Sequence, residues 1–351
     1  MNVKLKDFMD KYDTIIFDMD GVITSESAYW DAAALTVYQQ IQAKELFCDD
    51  VDISYYMNNI KEIRKKVFVD DKMISALKNK GVNSNWDLAY VTLSIALILE
   101  TKDFRKCLEY AENFNDDIFE IYKNIADKLG KKLGITDASR TGEFWNKLMM
   151  RFQEWVLGDE LFEKIYGYEP TQKGKVGILK SEKPVVDGNE LKEIIKTLSE
   201  GGKRLCTATG RIWEELETPL RMFGIYDYFA KDGFINFNFV TKVQNEFGVQ
   251  VTKPHPYMFQ KALFGADFSD KDILDENFDK DLIKKALVVG DAGADILGAK
   301  AMGADFCAVL TGINGKSTRQ YFEKIEAEYI LDSILEFEDK GDIDDKIKCS
   351  I

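Results

Sequence analysis

The sequence predicts an α/β fold: a parallel sheet flanked by helices and interrupted by a long all-helical insert. Three observations lead there. Apolar runs of β-branched character end abruptly at a polar residue and run into a helical pattern, namely TIIF before Asp18, KRLC before Thr207 and ALVVG before Asp291. Two further short runs, FCAVL at 306–310 and EYIL at 328–331, continue the alternation with GKSTRQYFEKIE between them. From Trp30 to about Tyr168 the spacing changes to that of helices. A strand–helix–strand order of this kind builds parallel sheets with helices on both faces.

Within the insert, RTGEFWNKLMMRFQEWVLG sets Phe144, Trp145, Leu148, Met149, Phe152, Trp155 and Val156 at helical spacing, with Ser139 or Thr141 as N-cap. NSNWDLAYVTLSIALILE and NDDIFEIYKNIADKLG repeat the pattern. YEPTQKGKVGILKSEKP, rich in Lys, Gly and Pro, reads as the way back into the sheet. A chain of 351 residues is long for one domain at roughly 150 residues each. The expected division is a discontinuous sheet domain, 1–24 with 175–351, and a helical domain, 25–174.

Composition narrows the function. With 47 Lys and Arg against 61 Asp and Glu, the formal charge of −14 repels a nucleic-acid backbone. An anionic substrate then needs a local cation or well-placed donors. The five cysteines, Cys48, Cys107, Cys206, Cys307 and Cys349, form no CxxC pair, and Cys206 and Cys307 sit in apolar runs, which fits reduced thiols in a cytoplasm. The start, MNVKLKDFMDKYD, has no uninterrupted apolar stretch, and the longest one, LAYVTLSIALIL at 88–99, is too short to span a bilayer. The expectation is no nucleic acid and no membrane; oligomeric state is not legible.

In an open parallel sheet, ligands bind beyond the carboxyl ends of the strands. Asp18, Asp20, Thr207 and Asp291 all fall there. Three acids converging on one point repel unless a cation intervenes, and Mg²⁺ suits them because it takes one or two carboxylates with carbonyl, water and phosphate oxygens. Asp18 would face the substrate, while the turn at Gly21 lets Asp20 approach from the side. Aspartate is a competent nucleophile at phosphorus, and a neighbouring acid can protonate a leaving oxygen and then activate water. In TATGR a hydroxyl from Thr207, or from Thr209 two residues on, and the backbone N–H of Ala208 and its successors would meet an anion where a helix begins. Lys253 in VTKPHPYMFQKAL, ahead of a proline suited to a helix start, would bring a point charge. Asp295, four residues past Asp291 on the first turn of a helix, would support Lys253 or a metal-bound water.

DMDGV, the strand-ending Thr207, KPHP with Lys253, and GDAGADILGAKAMG with Asp291 and Asp295 resemble the four ordered motifs of the haloacid dehalogenase (HAD) superfamily. The likeness covers roughly 1–24 and 175–338, with AEYILDSILEF similar to the family's last strand and helix. It implies a Rossmann-like, doubly wound parallel core, a cap domain inserted after the first motif, and Mg²⁺-dependent phosphoryl chemistry through an aspartyl phosphate. Carried over by position, it makes Asp18 nucleophile and metal ligand, Asp20 acid/base with its carbonyl on the metal, and Asp291 the other metal ligand. Thr207, Ala208 and Lys253 would hold the phosphoryl group. An aspartate at position 20 disfavours dehalogenation.

GVITSESAYWDAAA is similar to the same region of β-phosphoglucomutases, but Trp30 stands where their cap histidine falls, and Ser25 and Glu26 depart from their usual Asp-Thr. The expectation is a phosphatase acting on a small phosphorylated metabolite beneath a helical cap. A sugar phosphomutase and a non-catalytic binding protein of the same fold are the alternatives. His255, the one histidine, reads as a loop residue between prolines. LTGINGKST ends like a phosphate-binding loop but lacks its first glycine at Leu310, so it reads as the loop after a strand.

Overall fold

The structure is a computed structural model that describes residues 10–48, 51–82, 84–115 and 117–337; Cys349 and the opening nine residues lie outside them. The chain divides into two compact units, Met1–Glu26 with Glu182–Ile351, and Ser27–Ser181.

The first unit holds six parallel strands: β1 (Thr14–Phe17), β2 (Arg204–Ala208), β3 (Phe234–Ile235), β4 (Ala286–Gly290), β5 (Asp305–Val309) and β6 (Tyr329–Leu331). Their order in the sheet is β3-β2-β1-β4-β5-β6, which reverses direction between β1 and β4. Such a switch point opens a crevice at the strands' carboxyl ends. β3 has two residues, too few for any periodicity, and the sequence did not announce it. β2 does not stop before Thr207 as expected. Thr207 pairs in register with Phe17 on one side and Phe234 on the other, and its branched side chain suits that position.

Alternation along the strands sorts their side chains onto two buried faces. Ile15, Phe17, Leu205, Leu287 and Val289 share one core; Ile16, Cys206, Ala208, Val288 and Ala308 share the other. Burial of each Val, Leu, Ile or Phe among them contributes about 1.5–3 kcal/mol, which explains why the strands read as continuous apolar runs.

The helical unit contains α1 (Ser27–Gln42), α2 (Ile53–Asn58), α3 (Ile60–Val67), α4 (Lys72–Lys78), α5 (Asn85–Ile98), α6 (Phe104–Glu112), α7 (Ile118–Leu133) and α8 (Glu143–Tyr166). α1 and α5 are buried nearly all round and pack together at its centre. The helical patterns at 83–100 and 115–130 form α5 and α7, which are capped by Ser84 and Asp117, whose side chains accept the first free N–H groups. α8 departs from expectation. Neither Ser139 nor Thr141 caps it; Gly142 holds the N-cap place, and the Asp137 carboxylate accepts from Glu143 N at 2.9 Å. Gly158, at φ 74°, breaks it where the returning chain at Val176 and Gly177 crosses too close for any Cβ.

Returning to the sheet unit, the chain forms α9 (Gly188–Glu200), α10 (Trp213–Met222), α11 (Phe237–Phe247), α12 (Tyr257–Phe264), α13 (Asp270–Leu274), α14 (Gly293–Met302) and α15 (Arg319–Lys324). α9 and α10 cover the Phe17 face, α12 and α14 the Ile16 face. The expected last helix is a 3₁₀ turn, Ile334–Phe337. Among the described residues no helix is long and apolar enough to cross a membrane. The four described cysteines are free thiols, and burial pushes Cys206 up to about 12 and Cys307 well above its ordinary value.

Candidate active site

β1 delivers Asp18 one residue past Phe17, and its N–H donates to Val289 O of β4 at 2.9 Å, so the residue sits at the switch point. Alternation turns its side chain to the Ile16 face, where α12 and α14 begin. Lys253, in the turn ahead of α12, donates from Nζ to Asp18 Oδ1 at 2.8 Å and to Asp295 Oδ1 at 2.7 Å. α12 itself starts after Pro256, later than the first proline of KPHP suggested. Asp295 lies in the first turn of α14, and its Oδ2 also accepts from Ala292 N. Carboxylate oxygens of Asp18, Asp291 and Asp295 all fall within 4.8 Å of one another.

Burial pushes the Asp18 carboxyl up to about 7, with Lys253 opposing and Asp295 and Asp20 adding. Lys253 is raised: burial alone would lower it, and Asp18 and Asp295 outweigh that. One ammonium therefore faces three carboxylates, a donor set of hard oxygens that fits a small divalent cation. The neighbouring backbone fits too. A Cβ added at Gly21 (φ 74°) would come within 2.4 Å of Asp291 Oδ2, and one at Gly312 within 1.8 Å, so two glycines wall in that carboxylate. Thr311 Oγ1 donates to Gly21 O at 2.5 Å and ties the turn after β1 to the loop after β5.

The loop DMDGVIT winds around one carbonyl. Met19 O accepts from the N–H of Ile23 and Thr24 at 2.9 and 2.8 Å and from Thr24 Oγ1 at 3.0 Å. The turn sends Asp20 to the opposite side from Asp18, toward α10. There Arg211 donates from Nη2 to Asp20 Oδ1 at 2.6 Å and from Nε to Oδ2 at 3.1 Å. Arg211 is 3% exposed and also pairs with both oxygens of Glu182 and with Glu215 O. Burial raises Glu182 to about 7 even beside that guanidinium.

Thr207 and Ala208 lie inside β2 rather than beyond it. The Thr207 hydroxyl is buried, with no hydrogen-bond partner among the described residues. Thr209, two residues further, has left the strand, and its Oγ1 accepts from Arg211 N at 3.3 Å. His255 Nδ1 accepts from Tyr257 N at 3.2 Å, and burial lowers the ring's affinity for a proton; it serves the start of α12.

The structure thus brings Asp18, Lys253, Asp291 and Asp295 together and pairs Asp20 with Arg211 just ahead of α10. Sequence reasoning missed Arg211, Glu182, Thr311 and Gly312. The arginine of TATGR was a signal that could have been used, since a charge directly after a strand-ending turn glycine sits at the ligand edge of the sheet.

The HAD-hydrolase-like family matches residues 250–337, which carry Lys253, Asp291 and Asp295. No curated protein matches the chain. A crystal structure solved as a Northeast Structural Genomics Consortium target aligns over 92% of this chain and 97% of its own, with 27% identity and a TM-score of 0.73. A HAD family hydrolase from Deinococcus radiodurans R1, with bound phosphate and sodium, aligns over 93% of each chain at 14% identity and a TM-score of 0.42. A HAD-superfamily hydrolase of subfamily IA from Geobacter sulfurreducens PCA aligns over 95% of this chain and 96% of its own, at 15% identity and a TM-score of 0.41. The family match thus covers the last two site segments, and over residues 250–337 the chain is similar to the HAD-hydrolase-like family.

Proposed function

We propose that the protein is a Mg²⁺-dependent phosphatase that hydrolyses a small phosphorylated metabolite through an aspartyl phosphate on Asp18. The observation that carries this reading is the convergence of Asp18, Asp291 and Asp295 around one point with Lys253 bridging two of them. Asp18, Asp291 and the Asp20 carbonyl are the groups to hold the cation, which when bound offsets carboxylate and phosphoryl charge.

The residues divide the chemistry. Asp18 attacks phosphorus, the ester oxygen departs, and Asp20 gives that oxygen a proton. Asp20 then takes a proton from the water that attacks the aspartyl phosphate, which frees Asp18 and releases phosphate. Lys253 steadies the nucleophile and the phosphoryl oxygens. Thr209 supplies the hydroxyl, because Thr207 lies about two residues deeper in the strand, roughly 7 Å by strand rise. No observation favours the mutase alternative, since Trp30 already stacks beneath Arg64, with the guanidinium 4.8 Å from its ring.

A panel of phosphate esters with Mg²⁺ tests the reading. Wild-type protein should release phosphate, and Asp18→Asn should not. Equal rates for the two across the panel, or isomerisation of a sugar 1-phosphate without free phosphate, would overturn it.

A further inference from the structure

Arg211 is a buried charged group of the sheet unit that the chemistry above leaves without a task. All three of its guanidinium nitrogens are engaged: Nε with Asp20 Oδ2, Nη1 with Glu182 Oε2 and Glu215 O, and Nη2 with Asp20 Oδ1, Glu182 Oε1 and Thr24 Oγ1. Its partners differ in kind. Glu182 and the α10 carbonyl are buried, while the Asp20 side chain is 30% exposed.

We propose that Arg211 is a positioning residue for Asp20, a guanidinium fixed by Glu182 and Glu215 O that holds Asp20 Oδ1 and leaves Oδ2 on the looser contact, turned to the ester and water oxygens. This rests on the phosphatase reading. The two contacts differ in the required sense, 2.6 Å to Oδ1 against 3.1 Å to Oδ2, and Thr24 Oγ1, itself pinned to Met19 O, backs the Oδ1 side at 3.5 Å. Glu182 makes the arrangement durable. When Asp20 turns toward substrate, Arg211 keeps a buried counter-ion, so the movement strands no unpaired charge. A carboxylate held by a planar fork also loses the rotational freedom that blunts general acids.

The test separates this role from folding and from the phosphatase reading. Two aryl esters differ in need: dinitrophenyl phosphate loses its phenolate unaided, whereas phenyl phosphate needs a proton on the leaving oxygen. Arg211→Met paired with Glu182→Gln removes both buried charges together, so the fold is not left with a lone carboxylate, and melting temperature checks it. The double variant should lose roughly 10²-fold in kcat/KM on phenyl phosphate, within the usual range for a general acid, and less than about threefold in kcat/KM on dinitrophenyl phosphate, because kcat/KM reports ester cleavage and not the aspartyl-phosphate hydrolysis that both esters share. Adding Asp20→Ala to it should cost nothing more, and Arg211→Lys should fall between. Equal losses on both esters, a change confined to KM, or an undiminished further loss from Asp20→Ala would overturn the role of Arg211 alone. Wild-type protein that hydrolyses neither ester overturns the phosphatase reading and this role with it.

Discussion

Lys253 Nζ stands 2.8 Å from Asp18 Oδ1, joining the residue after β1 to the turn before α12 across 235 positions of chain. The ammonium sits directly on the Asp18 carboxylate and is shared with Asp295. Replacement by methionine leaves two buried carboxylates facing each other. Lys253→Met should reduce kcat by about 10²–10³, the usual loss for a buried donor aimed at developing charge. Steady-state rates on an aryl phosphate check this, and a loss under tenfold would assign the phosphoryl charge to other groups.

The second expectation concerns pH. Burial lifts the Asp18 carboxyl from 3.8 to about 7 in the cation-free chain. Because the folded value is raised, the native state keeps a proton there through that window while the unfolded chain releases it, so this group's contribution to stability falls as pH rises from the lower value to the upper. A divalent cation needs the ionised carboxylate and must displace the proton below about 7. Apparent Mg²⁺ affinity, read from the rise in melting temperature, should therefore weaken by up to about tenfold per pH unit below that point and level off above it. A flat profile would mean Asp18 is ionised before the cation arrives.

The third separates two hydroxyls. Thr207 Oγ1 is buried inside β2 without a hydrogen-bond partner among the described residues, and Thr209 Oγ1 sits past the strand's end. Thr209→Val should raise KM for phosphate esters by roughly tenfold, the value of about one hydrogen bond to a charged group. Thr207→Val should leave KM within about twofold and leave the melting temperature unchanged or higher, since a buried hydroxyl lacking a partner costs stability. The opposite pattern would put the deeper hydroxyl in the phosphate site.

Much of this site was legible in the sequence because strand ends and helix starts have local signatures. An apolar run that stops at an acid marks Asp18 and Asp291, and Asp295 follows from its place in the first turn of α14. What stayed hidden depends on contacts between distant segments. Arg211 reads as an ordinary solvated helix-start charge until Glu182, 29 residues upstream, and Asp20, 191 residues away, are folded against it. The two residues of β3 carry no period to detect, and Thr207 is a strand interior because Phe17 and Phe234 flank it, which no local pattern of KRLCTATG records. Gly312 lay inside a segment resembling an incomplete phosphate loop, and its value comes only from the carboxylate beside it.

That last glycine yields the fourth expectation. A methyl group at position 312 would lie 1.8 Å from Asp291 Oδ2, closer than any non-bonded contact allows, so the carboxylate must swing out of the cluster. The backbone there is not in the left-handed region, so alanine is compatible with its conformation. Gly312→Ala should therefore behave as a displaced ligand rather than an unfolded chain: unchanged circular dichroism, with a Mg²⁺ midpoint for activity raised roughly 10–100-fold, as when the support of a metal ligand is lost. Gly21→Ala meets the same oxygen at 2.4 Å but also strains a turn at φ 74°, so its loss should include melting temperature as well. If Gly312→Ala leaves the Mg²⁺ midpoint where it was, Asp291 does not hold the cation, because the same displaced carboxylate cannot be both a ligand and indifferent to its own position.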